Sequence, residues 1–322
     1  MSEPKSNQSA TETDACAQAA PPALGLALGG GVARGWAHIG VVRRLDELGV
    51  KPDIVCATSI GALVGGCWLA GSLDALEDWA RDLTKARMLT YFDVMLNGSG
   101  LMGGKRLERK LRRNLPPTKI EDLPQKFLAV TAELATGHEI WLTEGDLGEA
   151  ILAAYALPGV FPPRALGGRW LIDGALVNPL PISACRASGA RVVLAVGLHA
   201  DAFSLGIAQR RDRFQLLDQP SGEKLRPSLQ GGAFEKLIMR QLFRPQETSP
   251  GLGSVMVASF NILMDRITRS RMAGDPADVL MLPEVGHVPL LDFDRADELI
   301  DLGRAAVDRH MPELESALEC LA

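Results

Sequence analysis

Ser59 lies in the stretch Ala57-Thr58-Ser59-Ile60-Gly61, between a strand-like run at 53–58 (DIVCAT) and an apolar helical run that begins near Ile60. A serine on such a tight strand-to-helix turn stands clear of the sheet with its hydroxyl exposed. Small residues two before and two after it let strand and helix approach closely, which is the geometry of a nucleophile elbow. Ala57 fills the first of these positions, where the usual pattern has glycine. The same residues also fit a plain helix N-cap, with the hydroxyl bonded to a backbone N–H. A second signal is Gly29-Gly30-Gly31-Val32-Ala33-Arg34-Gly35, after a first apolar strand. Three glycines at a helix N-terminus leave backbone N–H groups uncovered, a ready anion site that could hold the oxyanion of an acyl-transfer intermediate. Tight strand–helix packing would account for the glycines equally well. Arg34 either fixes that loop, holds a phosphate head group or makes a structural ion pair. A third signal is Asp173-Gly174-Ala175, directly after Trp170-Leu171-Ile172. It puts an acid at the carboxyl edge of a sheet, where open α/β sheets bind ligands, although an Asp opening a turn is common.

The elements that must position these residues alternate along the chain. Leu24–Leu28 reads as a strand, 35–48 as a helix stopped by Gly49, and 53–58 as a second strand leading into the helix after Ser59. Further strand-like runs are 127–133, 139–142, 170–173, 191–198 and 279–282. Further helices are expected at 147–156, 255–272 and from 295 to about 310. Strand–helix units in succession imply a three-layer α/β/α fold with a mainly parallel central sheet. Residues 1–22, rich in Ser, Thr, Gln, Ala and Pro, read as a disordered tail. The expected division is a catalytic domain at 24–200, an irregular or lid-like insertion at 201–250, and C-terminal helices and a strand packing on the core at 251–322.

Taken together and in this order, GGGVARG, TSIG and DGA after a strand resemble the patatin-like phospholipase family. The segment 156–163 (ALPGVFPP) is similar to one upstream of that family's catalytic acid, and 258–279, with ASFNI, DRITRSR and DPADV, matches a bacterial branch of it. The likeness spans about residues 24–200. It implies a Ser59–Asp173 dyad that cleaves carboxylic esters of phospholipids or related acyl esters, with the Gly29, Gly30 and Gly31 amides as oxyanion hole. No metal or organic cofactor is implied. A triad of the α/β-hydrolase kind would need a third member, His199 or His287 among the five histidines. His38, about one turn beyond Gly35, is expected to pack locally.

Other chemistries fit less well. In a dinucleotide fingerprint the third glycine would fall on Arg34, and the second strand ends in Thr58-Ser59 rather than an acid. No G-K-[ST] follows the glycines, and there is no HExxH or clustered His/Cys set. A net charge of −5 argues against nucleic acid. A non-catalytic regulator or scaffold on the same fold is the alternative function. Five widely spaced cysteines without CxxC read as reduced thiols in a cytoplasmic protein. Met256, Phe260, Leu263 and Met264 stand at helical spacing, as a core stripe or the border of an acyl pocket. Arg240, Arg244, Arg266, Arg269 and Arg271 are either a positive patch for peripheral contact with anionic lipid at the inner membrane surface or an ion-paired, solvated face.

Overall fold

The computed structural model describes residues 23–84, 105–198 and 252–321. The expected tail at 1–22 and insertion at 201–250 lie outside the described residues. Short β-branched runs separated by apolar helices build one mixed sheet. Strands β1 (Ala23–Leu28), β2 (Ile54–Thr58), β3 (Lys126–Glu133), β7 (Ala190–Val196) and β8 (Val279–Met281) are mutually parallel. Strands β4 (Glu139–Leu142), β5 (Arg164–Leu166) and β6 (Arg169–Asp173) join it antiparallel. The order is β5-β6-β3-β2-β1-β7-β8, with β4 also on β3. The central strands are buried on both faces, which is why they read as continuous apolar runs rather than as alternation.

The helices are α1 (Ala37–Glu47), α2 (Ile60–Leu69), α3 (Leu73–Arg81), α4 (Lys105–Asn114), α5 (Leu147–Ala154), α6 (Ile182–Ala187), α7 (Leu252–Gly274), α8 (Ala296–Arg309) and α9 (Met311–Glu319). One sheet face (Leu26, Leu28, Val55, Phe127, Val196) packs under α1, α2, α5 and α8. The other (Ala27, Cys56, Leu128, Val193) packs on α6, with Met272 of α7 against the same cluster. The layers are therefore α/β/α, as the alternation of elements implies. β8 extends the sheet beside β7, and α8 lies on α1, so the C-terminal stretch completes the same core. Among the differences from expectation, the first helix is preceded by a 3₁₀ turn at Val32–Trp36, and a further helix, α9, follows α8 after a break at His310.

The crossing of α1 over α8 is set by Gly40 and Gly303. A Cβ on Gly40 would stand 1.9 Å from the Ile300 carbonyl oxygen, and one on Gly303 1.9 Å from that of Ala37. Backbone cannot yield as a side chain can, so a methyl group here must separate the helices. Gly40→Ala is expected to lower stability by about 3 kcal/mol, even though alanine favours helix by about 1 kcal/mol. A calorimetric midpoint equal to the wild type's would show that the two helices can part freely.

Candidate active site

Strand register brings the two key residues together. β2 occupies one edge of β3, with Thr58 opposite Val130. β4 occupies the other edge, over Ala129–Ala132. Beyond Thr58 the first edge passes to β6, with Asp173 opposite Thr131. β2 runs parallel to β3 and β6 antiparallel to it, so the two strands meet end to end. Ser59, the residue after β2, therefore faces the last residue of β6. The Ser59 hydroxyl donates to Asp173 Oδ2 at 2.5 Å, across 114 residues of sequence.

Ser59 has φ 55° and ψ −125°, a left-handed backbone that non-glycine residues adopt only where the surroundings enforce it. Its side chain caps no helix amide; the hydroxyl goes to the carboxylate, and the plain N-cap alternative is not what this turn adopts. The small residue at position 61 has the expected cause: a Cβ on Gly61 would stand 2.4 Å from the Leu28 carbonyl oxygen. The Ala57 methyl is fully buried in the core beneath α2. The Thr58 hydroxyl donates to the Asn178 carbonyl at 2.9 Å, tying the elbow to the loop that follows the acid.

Asp173 is 1% exposed and Ser59 4%. Asp173 Oδ1 accepts from the Ala175 amide at 2.8 Å. Burial pushes the carboxyl up to about 7, against the pull of the Ser59 and Ala175 hydrogen bonds. A group poised there can take and return a proton near neutral pH. Tyr155, which nothing in the sequence marks, lies within electrostatic reach. Its phenol is pushed up by burial and then by the Asp173 charge, and its ring packs on Phe161 at 5.3 Å.

The glycine loop departs from expectation. The Gly29 amide donates to Val196 O at 3.1 Å and the Gly30 amide to Pro179 O at 2.9 Å. Both are therefore spent on backbone and are not open donors, because the loop continues the β1–β7 pairing and then meets the turn before α6. Among the described residues the amides of Gly31, Val32 and Ile60 at this end of the sheet have no hydrogen-bond partner. Gly30 still matters sterically, since a Cβ there would touch the Cβ atoms of Ala175 at 3.2 Å and Ser59 at 3.4 Å. Arg34 is 6% exposed, and its guanidinium donates to Val288 O at 2.8 Å and Gly286 O at 3.1 Å. It ties the glycine loop to a C-terminal loop.

Histidine does not enter the Ser–Asp contact among the described residues. His287 Nε2 pairs with Glu298 at 2.6 Å on the surface, which removes it as third member. His199 lies outside the described residues. His38 is fully buried, with Nε2 against Gly29 O at 2.7 Å. On α7, Met264 is buried while Leu263 is 52% exposed, so the expected stripe is only partly core. Arg269 pairs with Asp265 and Arg271 with Glu139, the ion-paired reading of that face. Arg240 and Arg244 lie outside the described residues. A narrow apolar cleft runs from Gly29 between Leu180, Leu198 and Met272. Among the described residues no group of His, Cys, Asp and Glu could hold a metal, and no helix is long and apolar enough to cross a membrane.

The patatin-like phospholipase family model matches residues 26–186. An uncharacterized NTE family protein of Mycobacterium tuberculosis is 31% identical over 333 residues, covering 91% of this chain and 92% of its own length. The patatin-like phospholipase domain-containing protein 7 of Mus musculus is 32% identical over 181 residues, which are 54% of this chain and 13% of that protein. The solved human GIVD cytosolic phospholipase A2 overlaps 93% of this chain and 59% of its own, at a TM-score of 0.42 and 12% identity, too loosely to carry chemistry across.

Proposed function

The chain belongs to the patatin-like phospholipase family and is a hydrolase, and from that premise we propose that it cleaves carboxylic ester bonds of phospholipids or related acyl esters with Ser59 as nucleophile and Asp173 as its base. The observation that carries this reading is the direct 2.5 Å hydrogen bond from the Ser59 hydroxyl to Asp173 Oδ2, with no imidazole between them.

Asp173 takes the hydroxyl proton as Ser59 Oγ bonds to the ester carbonyl carbon. The carbonyl oxygen becomes an oxyanion, held by the Gly31 amide and, in the manner of a nucleophile elbow, by the Ile60 amide. Collapse breaks the ester C–O bond, and the leaving alkoxide takes the proton from Asp173. Water then attacks the acyl-serine, giving its proton to Asp173, and the free acid leaves as Ser59 regains its hydrogen. The substrate would be met at a membrane surface by peripheral contact. A cytoplasmic setting is supported by the free thiols of Cys56, Cys67, Cys185 and Cys320.

A fluorophosphonate probe tests the reading directly, because it phosphonylates an activated serine with loss of fluoride. Wild-type protein should be labelled at Ser59 and Ser59→Ala not at all, with hydrolysis of a phospholipid and p-nitrophenyl ester panel following the same pattern. Folded wild-type protein that takes no label and hydrolyses no ester would favour a scaffold on this fold instead.

A further inference from the structure

We propose that His38 is a positioning residue for the oxyanion loop: its Nε2–H, donated to the Gly29 carbonyl, locks the Gly29–Gly30 peptide so that the Gly31 amide is the one presented to substrate. This rests on the ester-hydrolase reading above.

The chemistry of the contact fixes the tautomer. A carbonyl oxygen only accepts, so at 2.7 Å the proton is on Nε2 and Nδ1 is bare. Nδ1 is buried and has no partner among the described residues. Leaving a buried polar atom unmade is unfavourable, and its neighbours on α1 (Ala37, Ile39, Val41, Val42) are all buried aliphatics. An aliphatic side chain would fill this place without any orphaned nitrogen, so packing alone gives no reason for a histidine. The donor does. The same peptide is gripped at its other end, where the Gly30 amide donates to Pro179 O. With both ends of the Gly29–Gly30 peptide held, the next peptide is the first whose N–H is unspent. The ring is delivered from α1, whose own position is set by the Gly40–Gly303 crossing, so it sits on a rigid element. Burial lowers the imidazole to about 4, keeping it neutral and in one tautomer around pH 7.

The test compares His38→Leu, His38→Gln, Ser59→Ala and wild type on one p-nitrophenyl ester, with kcat, KM and thermal midpoint measured for each. Leucine fills the space without a donor, and a glutamine amide reaches the place of Nε2–H. His38→Leu should lose about 100-fold in kcat, the scale of a misplaced oxyanion donor, with KM little changed; it exchanges the orphaned Nδ1 for an orphaned Gly29 carbonyl, so the midpoint should move little. His38→Gln should recover most of that loss. Wild-type kcat in His38→Leu would overturn the proposal, and so would equal losses in both variants accompanied by lowered midpoints. Turnover by Ser59→Ala equal to wild type would instead bring down the hydrolase reading itself, so the two failures are told apart. Should His38→Leu not fold, the ring ¹⁵N spectrum of wild type decides: a neutral Nε2–H ring supports the assignment and an Nδ1–H ring overturns it.

Discussion

Ser59→Ala should lower kcat for ester hydrolysis by about 10⁴–10⁶-fold and Asp173→Asn by about 10²–10⁴-fold. Alanine removes the atom that would carry the acyl group. Asparagine keeps the volume and can still accept the Ala175 amide on Oδ1, the bond that now measures 2.8 Å. It places an N–H donor where Asp173 Oδ2 now accepts from Ser59, so the serine keeps its neighbour and loses its base. The double variant should be no slower than Ser59→Ala, because the two groups act as one unit. Steady-state kcat on a phospholipid and a p-nitrophenyl ester measures all three. Near-wild-type turnover by Asp173→Asn would remove the acid from the mechanism. In wild type, kcat/KM should rise as pH passes upward through about 7, as the buried carboxyl gives up its proton.

The same ionisation should make the active site destabilising at alkaline pH. Asp173 is pushed from 3.8 up to about 7 on folding, chiefly by burial. At about 1.4 kcal/mol for each tenfold change in proton affinity, that is about 4 kcal/mol. Because the folded value lies above the unfolded one, the contribution to stability is fully present below about pH 4 and is lost as pH rises through about 7. An asparagine in its place would have no proton to lose. Asp173→Asn should therefore be stabilised relative to wild type at about pH 8, and that advantage should shrink by about 4 kcal/mol toward about pH 4. His38 has the opposite sign. It is lowered from 6.5 to about 4 in the fold, so stability is lost as pH falls through that window. This loss is common to both proteins and cancels in the difference. Urea midpoints at a series of pH values give the result. A difference that does not vary with pH would mean that the carboxyl is solvated, and the burial account of its proton affinity would fail.

Local features of the chain were legible because their causes are local. The elbow at Ser59 needs a small residue where a helix passes a strand end, and Gly61 against the Leu28 carbonyl is that requirement in place. β-Branched runs such as 191–196 form strands buried on both faces, and the alternation of strands with apolar helices implies the layered sheet. The resemblance then linked Ser59 to Asp173, which spacing alone could not do. α3, α4, α6 and α9 went unmarked in the sequence. α4 is strongly charged (KRLERKLRRN); Arg112 pairs with Glu108 on the same helix and with Glu149 of α5, and Arg164 of β5 reaches Glu108.

The amino-acid sequence by itself determined the strand–helix alternation, the tight turn that carries Ser59 and the acid that closes β6, since each depends on residues within a few positions of one another. Only the tertiary structure decided which glycine amides are open, because the partners of Gly29 and Gly30 are carbonyls of Val196 and Pro179 on other segments. Likewise Arg34 became a clamp through carbonyls up to 254 residues away, and His38 became a brace through its approach to Gly29. A hydrogen bond is satisfied in three dimensions, so a donor's role is fixed by whichever acceptor the completed fold brings to it and not by its neighbours along the chain.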